Sequence, residues 1–164
     1  MAFKRWALLV SAVMACMGDA RAASGTVELL LAAIPDVHAV EMGETLVTAM
    51  GGTGRLTVRH SSGRPFVDDT SAAFRFAGFA KATPSGRELE ADALVTFGPA
   101  DTLMLVLERH ASDPGAQDEG RLHLAGGSGR FAGVTGECRY RLEEPPGEWK
   151  VTATCDWNYV FPYR

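Results

Sequence analysis

Beyond its first two dozen residues the chain alternates between apolar and polar positions with a period of two. That period marks strands with one face buried and the other in water. Val27, Leu29, Leu31 and Ala33 share one face, and Val40, Met42, Leu46 and Met50 read as another. Leu56 and Val58 sit between Arg55, Thr57 and Arg59, and Phe74 and Phe76 flank Arg75. Leu89, Ala91, Ala93, Val95 and Phe97 alternate with Glu90, Asp92 and Thr96, and Leu122 and Leu124 flank His123. The last run is the most regular. Trp149, Val151, Ala153, Cys155, Trp157, Tyr159 and Phe161 fall on one face, with Lys150, Thr152, Thr154, Asp156 and Asn158 on the other. Residues 103–107, LMLVL, are apolar at every position, which predicts a strand covered on both sides.

Turn residues separate these runs: Gly51-Gly52-Thr53-Gly54, Ser61-Ser62-Gly63, Pro84-Ser85-Gly86, Gly98-Pro99, Asp113-Pro114-Gly115 and Pro145-Pro146-Gly147. Connections this short predict antiparallel pairing, because parallel crossovers need a dozen residues or more. Eight or nine strands fit a barrel or a sandwich. A barrel leaves no open edge, so the expectation is one all-β domain over residues 23–164, an antiparallel barrel of about eight strands.

The first residues have a different pattern. Lys4 and Arg5 are basic, residues 6–15 are apolar, and Ala20-Arg21-Ala22 is a small-x-small cleavage pattern. Together they predict a secretory signal peptide over residues 1–22. The rival is a lipoprotein box, Val13-Met14-Ala15-Cys16, which would anchor the chain through Cys16, although Met14 fits that box poorly. Cleavage after Ala22 removes three cations and one anion and takes the net charge from −4 to −6. Heavy Arg and Ala usage, with only Lys81 and Lys150 after the cut, points to a Gram-negative bacterium and to periplasmic or secreted localisation.

The chain has 164 residues, 46% hydrophobic and 22% charged, which is ordinary globular composition and excludes wholesale disorder. No apolar run reaches the ~18 residues of a spanning helix, so no membrane span is expected. A net negative charge argues against a nucleic-acid partner.

Residues 126–136 read GGSGRFAGVTG, followed by Glu137, Cys138 and Tyr140. The segment lacks GxGxxG spacing and a GK[ST] ending, so it is not a phosphate loop. Arg130 stands where the last glycine of GxSxG would be, so it is not a hydrolase elbow. Gly126, Gly127, Gly129, Gly133 and Gly136 are read as a structural loop, with Phe131 as an apolar plug between them. GGSGRFAGVTGECRY, at 126–140, resembles a stretch of bacterial secreted proteins related to the allene oxide cyclase and dirigent-like barrels of the calycin type. The resemblance extends loosely to Cys155-Asp156-Trp157, and residues 24–119 share only the strand rhythm. It implies an eight-stranded barrel and carries no catalytic residue onto this chain.

Two cysteines, Cys138 and Cys155, remain after the leader, the count for one disulfide in an exported chain. Pairing Glu144 with Trp149 around Pro145-Pro146-Gly147-Glu148 sets Leu142 against Val151, Tyr140 against Ala153 and Cys138 against Cys155. No CxxC or HxxxH spacing supports a metal site, and none is expected. The acidic groups Asp68-Asp69, Asp113 and Asp118-Glu119 lack the calcium-loop pattern and read as solvated loops. His60, His110 and His123 read as surface residues. His38 and Glu44 share parity with Val40, Met42 and Leu46, so they are the candidate ligand-binding pair, with Glu44 the inward-facing ionisable group. A β-bulge or a place at the barrel mouth would explain the same parity.

No catalytic constellation and no cofactor motif appears. The expectation is an exported, non-catalytic barrel that binds a small apolar ligand or a partner protein, or serves a structural envelope role. The alternative is a cyclase or dirigent-type enzyme whose cavity directs a reactive intermediate. The state of the barrel interior separates them: filled for a structural role, an apolar cavity for binding, a cavity with a carboxylate at its base for catalysis.

Overall fold

In the computed structural model, which describes residues 22–113 and 118–160, the alternating runs become eight strands. These are β1 (Ala22–Met42), β2 (Thr45–Ser61), β3 (Ser71–Thr83), β4 (Gly86–Thr96), β5 (Thr102–Arg109), β6 (Glu119–Ser128), β7 (Val134–Glu143) and β8 (Trp149–Val160). Each pairs antiparallel with the next, and β8 returns to β1 along a ladder from Ala22↔Val160 to Ala33↔Trp149. The sheet is therefore a closed barrel, and closure removes the edges an open sheet would present. Residues 1–21, with Cys16, lie outside the described residues, as do Phe161 and the Pro114-Gly115 turn. Ala22, the last residue of the expected leader, opens β1.

Alternation places one side chain in two inside. Val27, Leu29, Leu56, Val58, Val95, Leu103, Leu105, Leu122 and Leu124 are among those buried there, and burying each such side chain is worth ~1.5–3 kcal/mol. One end is closed by an aromatic cluster. Phe66, Phe97 and Trp157 gather around Phe131, with ring centroids 5.4 Å between Phe66 and Phe131, 4.6 Å between Phe97 and Phe131, and 6.0 Å between Phe66 and Trp157. Phe131 lies in a short 3-10 turn, Gly129–Phe131, and Gly126, Gly129 and Gly133 around it take positive φ. The Arg130 guanidinium covers this plug at 5.0 Å from the Phe97 centroid and 4.9 Å from that of Phe131. It also pairs with Asp101 at 3.6 Å.

Cys138 and Cys155 are direct cross-strand partners and are joined by a disulfide. Leu142↔Val151 and Tyr140↔Ala153 are partners in the same ladder, as the turn length required. The Cα atoms of the two cysteines are 3.9 Å apart, closer than the ~4.5 Å of an ordinary non-hydrogen-bonded pair, so β7 and β8 pinch together at this rung.

Two expectations fail for identifiable reasons. Val40, Met42, Leu46 and Met50 do not share a face. A two-residue turn at Gly43 and Glu44 reverses the chain, with Gly43 at φ +65°. Met42 then pairs with Thr45 and Val40 with Val47, so even positions of β1 share a face with odd positions of β2. Val40 and Met42 are exposed on the outside, while Met50 is buried inside. The LMLVL strand is not covered on both sides either. Leu103, Leu105 and Leu107 are buried, but Met104 is exposed and no second layer covers it among the described residues.

Candidate functional site: an apolar cavity at the open end of the barrel

Away from the aromatic plug the barrel interior is incompletely filled. A cavity of about 50 Å³ lies among Leu31, Met50, Phe74, Leu89, Leu107, Leu142 and Val151. Phe76 and Trp149, both half-buried, stand at its rim with ring centroids 6.0 Å apart. The space exists because Ala33, Ala91 and Ala93 put small side chains at inward positions, across the ladders from Trp149, Leu107 and Leu105. Glycines on β2 then let two rings lie flat against its backbone. Phe74 is opposite Gly54 and Phe76 opposite Gly52, and a Cβ at Gly54 would come within 2.5 Å of the Phe74 ring.

Arg87 and Tyr140 also line the cavity, with no carboxylate among the described residues, but the surface that faces it is almost wholly carbon. Arg87 enters from β4 and is held by Glu144 at 3.0 Å. Tyr140 is buried on β7, directly across from Gly120 of β6. A Cβ on Gly120 would lie 2.5 Å from the phenol oxygen, so the glycine is what makes room for the ring. Burial pushes the Tyr140 phenol up to about 12, although the nearby cations Arg109 and Arg87 pull in the opposite direction. It therefore stays protonated at neutral pH.

Arg109 ends the inward face of β5, two residues beyond Leu107 and directly opposite Leu89. It is 5% exposed and is the one buried charged residue among those described. Its guanidinium donates through Nη1 to the Glu119 carbonyl, while Nε is buried with no partner.

His38 and Glu44 are not on this wall. β1 leaves β8 at Ala33 but continues against β2 to Met42, so His38 lies on a hairpin that projects past the barrel rim. Its ring is 81% exposed and sits 3.5 Å from Asp36. Glu44 occupies the turn itself and is exposed, so the inward-facing carboxylate expected from parity is corrected to a hairpin tip in solvent. His60 pairs with Asp68 at 3.6 Å, and His123 with Glu108 at 3.1 Å, both on the outer surface. Among the acidic loop residues, Asp113 caps the His110 backbone N–H and Asp118 accepts from Arg141, and both carboxyls are held below the usual range chiefly by those hydrogen bonds.

The sequence reading missed Arg87 and Tyr140 as lining residues, and the burial of Arg109 nearby. Arg109 was visible in principle, as a cation at the inward parity of Leu103, Leu105 and Leu107. Nothing in the sequence separates Arg87 from any other arginine near a turn.

No family model matches the sequence, and no curated protein matches it. Among solved structures the chain is similar to the pterocarpan synthase dirigent protein GePTS1, with a TM-score of 0.52 and 14% identity over 88% of this chain and 94% of that one. At that identity the likeness is one of fold, and this chain is built as a dirigent-like, eight-stranded antiparallel barrel.

Proposed function

We propose that the protein is an exported, non-catalytic barrel that binds a small apolar molecule in the cavity beside Tyr140 and Trp149. The observation that carries this reading is the cavity, whose walls are apolar apart from Arg87 and Tyr140. A barrel serving only as an envelope scaffold has no need of an unfilled interior, since an eight-stranded barrel can be packed solid by its own side chains. The closed volume holds only a few heavy atoms, so a larger ligand extends through the rim at Phe76 and Trp149. The Cys138–Cys155 disulfide fits an oxidising compartment, and we take the periplasm as that compartment.

A second reading, a dirigent-type cavity that steers a reactive intermediate, is favoured by the phenol of Tyr140 on the cavity wall and by the similarity to a synthase-named barrel. Among the described residues no carboxylate lines the cavity, which weighs against it. Native mass spectrometry of protein purified from its own periplasm tests both. A retained small molecule recovered unchanged supports binding, a molecule converted on incubation supports the second reading, and bare protein alone overturns ligand binding in the cell.

A further inference from the structure

Closure of the barrel covers β1 only as far as Ala33, where its ladder with β8 ends. Beyond that point β1 runs on to Met42 against β2, and β2 is held in turn by β3 out to Leu46↔Ala82. The stretch from Ile34 to Met42 is therefore the free edge of a supported sheet, with no strand beside it among the described residues. The turn decides which backbone groups face that edge. A two-residue connection makes its flanking pair, Met42 and Thr45, a hydrogen-bonded one, and such pairs alternate from there. Even positions of β1 thus bond β2, and odd positions turn their N–H and C=O groups outward. Pro35, which has no N–H, is at an odd position, so it takes nothing from the ladder and blunts only one place on the edge. Val37, Ala39 and Glu41 keep both groups. The side chains around them are apolar and exposed, with Ile34 at 73% and Val37 and Val40 also exposed. Such an edge is a template for another strand.

We propose that two copies of this chain associate through this edge, β1 against β1, antiparallel about a two-fold axis at Val37. Charge selects the occupant. The hairpin carries Asp36, Glu41 and Glu44 against His38, which disfavours an anionic membrane surface. A second copy fits, because this axis sets Asp36 opposite the partner's His38 and Ile34 opposite the partner's Val40, each twice, and Asp36 and His38 are both exposed. Moving the axis to Asp36 or to His38 faces that residue with its own copy. Moving it to Ala39 leaves Asp36 opposite Met42 and His38 opposite Val40. With the axis at Val37, each Val37 N–H donates to the other Val37 carbonyl, and each Ala39 N–H donates to the partner's Pro35 carbonyl, the one group that Pro35 offers. The pairing spans residues 34–40 and stops short of Trp149, where β8 begins. It is independent of what the cavity holds.

Sedimentation velocity of the mature protein at increasing concentration tests it. A monomer–dimer equilibrium with a dissociation constant on the order of 100 μM is expected, in keeping with a short contact. Val37→Pro removes an outward N–H and leaves the bonds to β2 in place, so it should weaken the dimer at least about tenfold. Asp36→Arg and His38→Asp each remove the opposed charges and should weaken self-association, whereas the two variants mixed restore them and should recover the dimer. A protein that stays monomeric to ~1 mM overturns the proposal. So does an assembly undisturbed by Val37→Pro, which would place the contact on another surface, and so does a mixture that fails to recover the dimer. Amide exchange at Val37 and Ala39, read by NMR on the unaltered protein, decides if Val37→Pro does not fold. Protection that grows with protein concentration supports the pairing, and protection that is equal at every concentration, or absent at all of them, overturns it.

Discussion

The phenol of Tyr140 occupies the space above Gly120 on the neighbouring strand, so close that a Cβ at Gly120 would stand 2.5 Å from its oxygen and 2.8 Å from the Glu108 carbonyl. Gly120→Ala must therefore displace both a buried ring and a backbone carbonyl. The expected loss is about 1–3 kcal/mol of stability, the usual cost of overpacking, read from urea unfolding. Gly120→Ala combined with Tyr140→Phe recovers only part of it, because the carbonyl contact remains.

Tyr140 also gives the fold a defined alkaline weakness. Its phenol is held protonated to about 12, whereas an unfolded tyrosine loses its proton near ~10. Between those values the unfolded chain binds fewer protons than the folded one, so stability falls as pH rises. Below pH ~10 both states keep the proton and the effect vanishes. The difference approaches a magnitude on the order of 2 kcal/mol by pH ~12. Denaturant midpoints compared for the unaltered protein and Tyr140→Phe across this range isolate it, with the slope expected only where the phenol is present.

The disulfide spans a sequence separation of 17 residues. Replacing both Cys138 and Cys155 with Ala is expected to cost about 3 kcal/mol, mostly by releasing the unfolded chain. Alkylation of the denatured, non-reduced mature protein should find neither thiol free. Two free thiols would refute the bridge and the β7–β8 register with it.

Two apolar positions of equal promise in the sequence should behave oppositely. Leu29 is wholly buried inside the barrel, and Val40 is 61% exposed on the projecting hairpin. Leu29→Ala should lose about 2–5 kcal/mol. Val40→Ser should change stability by less than about 0.5 kcal/mol. Thermal unfolding of the pair checks the hairpin's course past the rim, since a Val40 packed inside would give the larger loss.

Export is expected to remove residues 1–22 and leave Ala23 as the first residue. The intact mass of the exported protein reads this directly. A chain beginning at a lipidated Cys16 would instead place the barrel on a membrane surface.

The architecture was legible because strand alternation is local. Each side chain two positions along a strand returns to the same face, so the inward set of β4, Leu89 to Val95, and that of β8, Val151 to Trp157, could be read without any partner strand. The Cys138–Cys155 bridge was legible for a related reason, since one turn length and one parity fix a hairpin's register. Parity fails where the chain reverses. The Gly43-Glu44 turn exchanged odd for even and carried His38 and Glu44 out of the interior. The cavity was beyond sequence for a different reason. It arises where small residues on β1 and β4 meet large ones on β3, β7 and β8, and only closure of the barrel brings those strands around one space. The same closure decides that Arg109, polar by composition and inward by parity, ends buried with no ion pair among the described residues, because burial is a property of all the surrounding strands together.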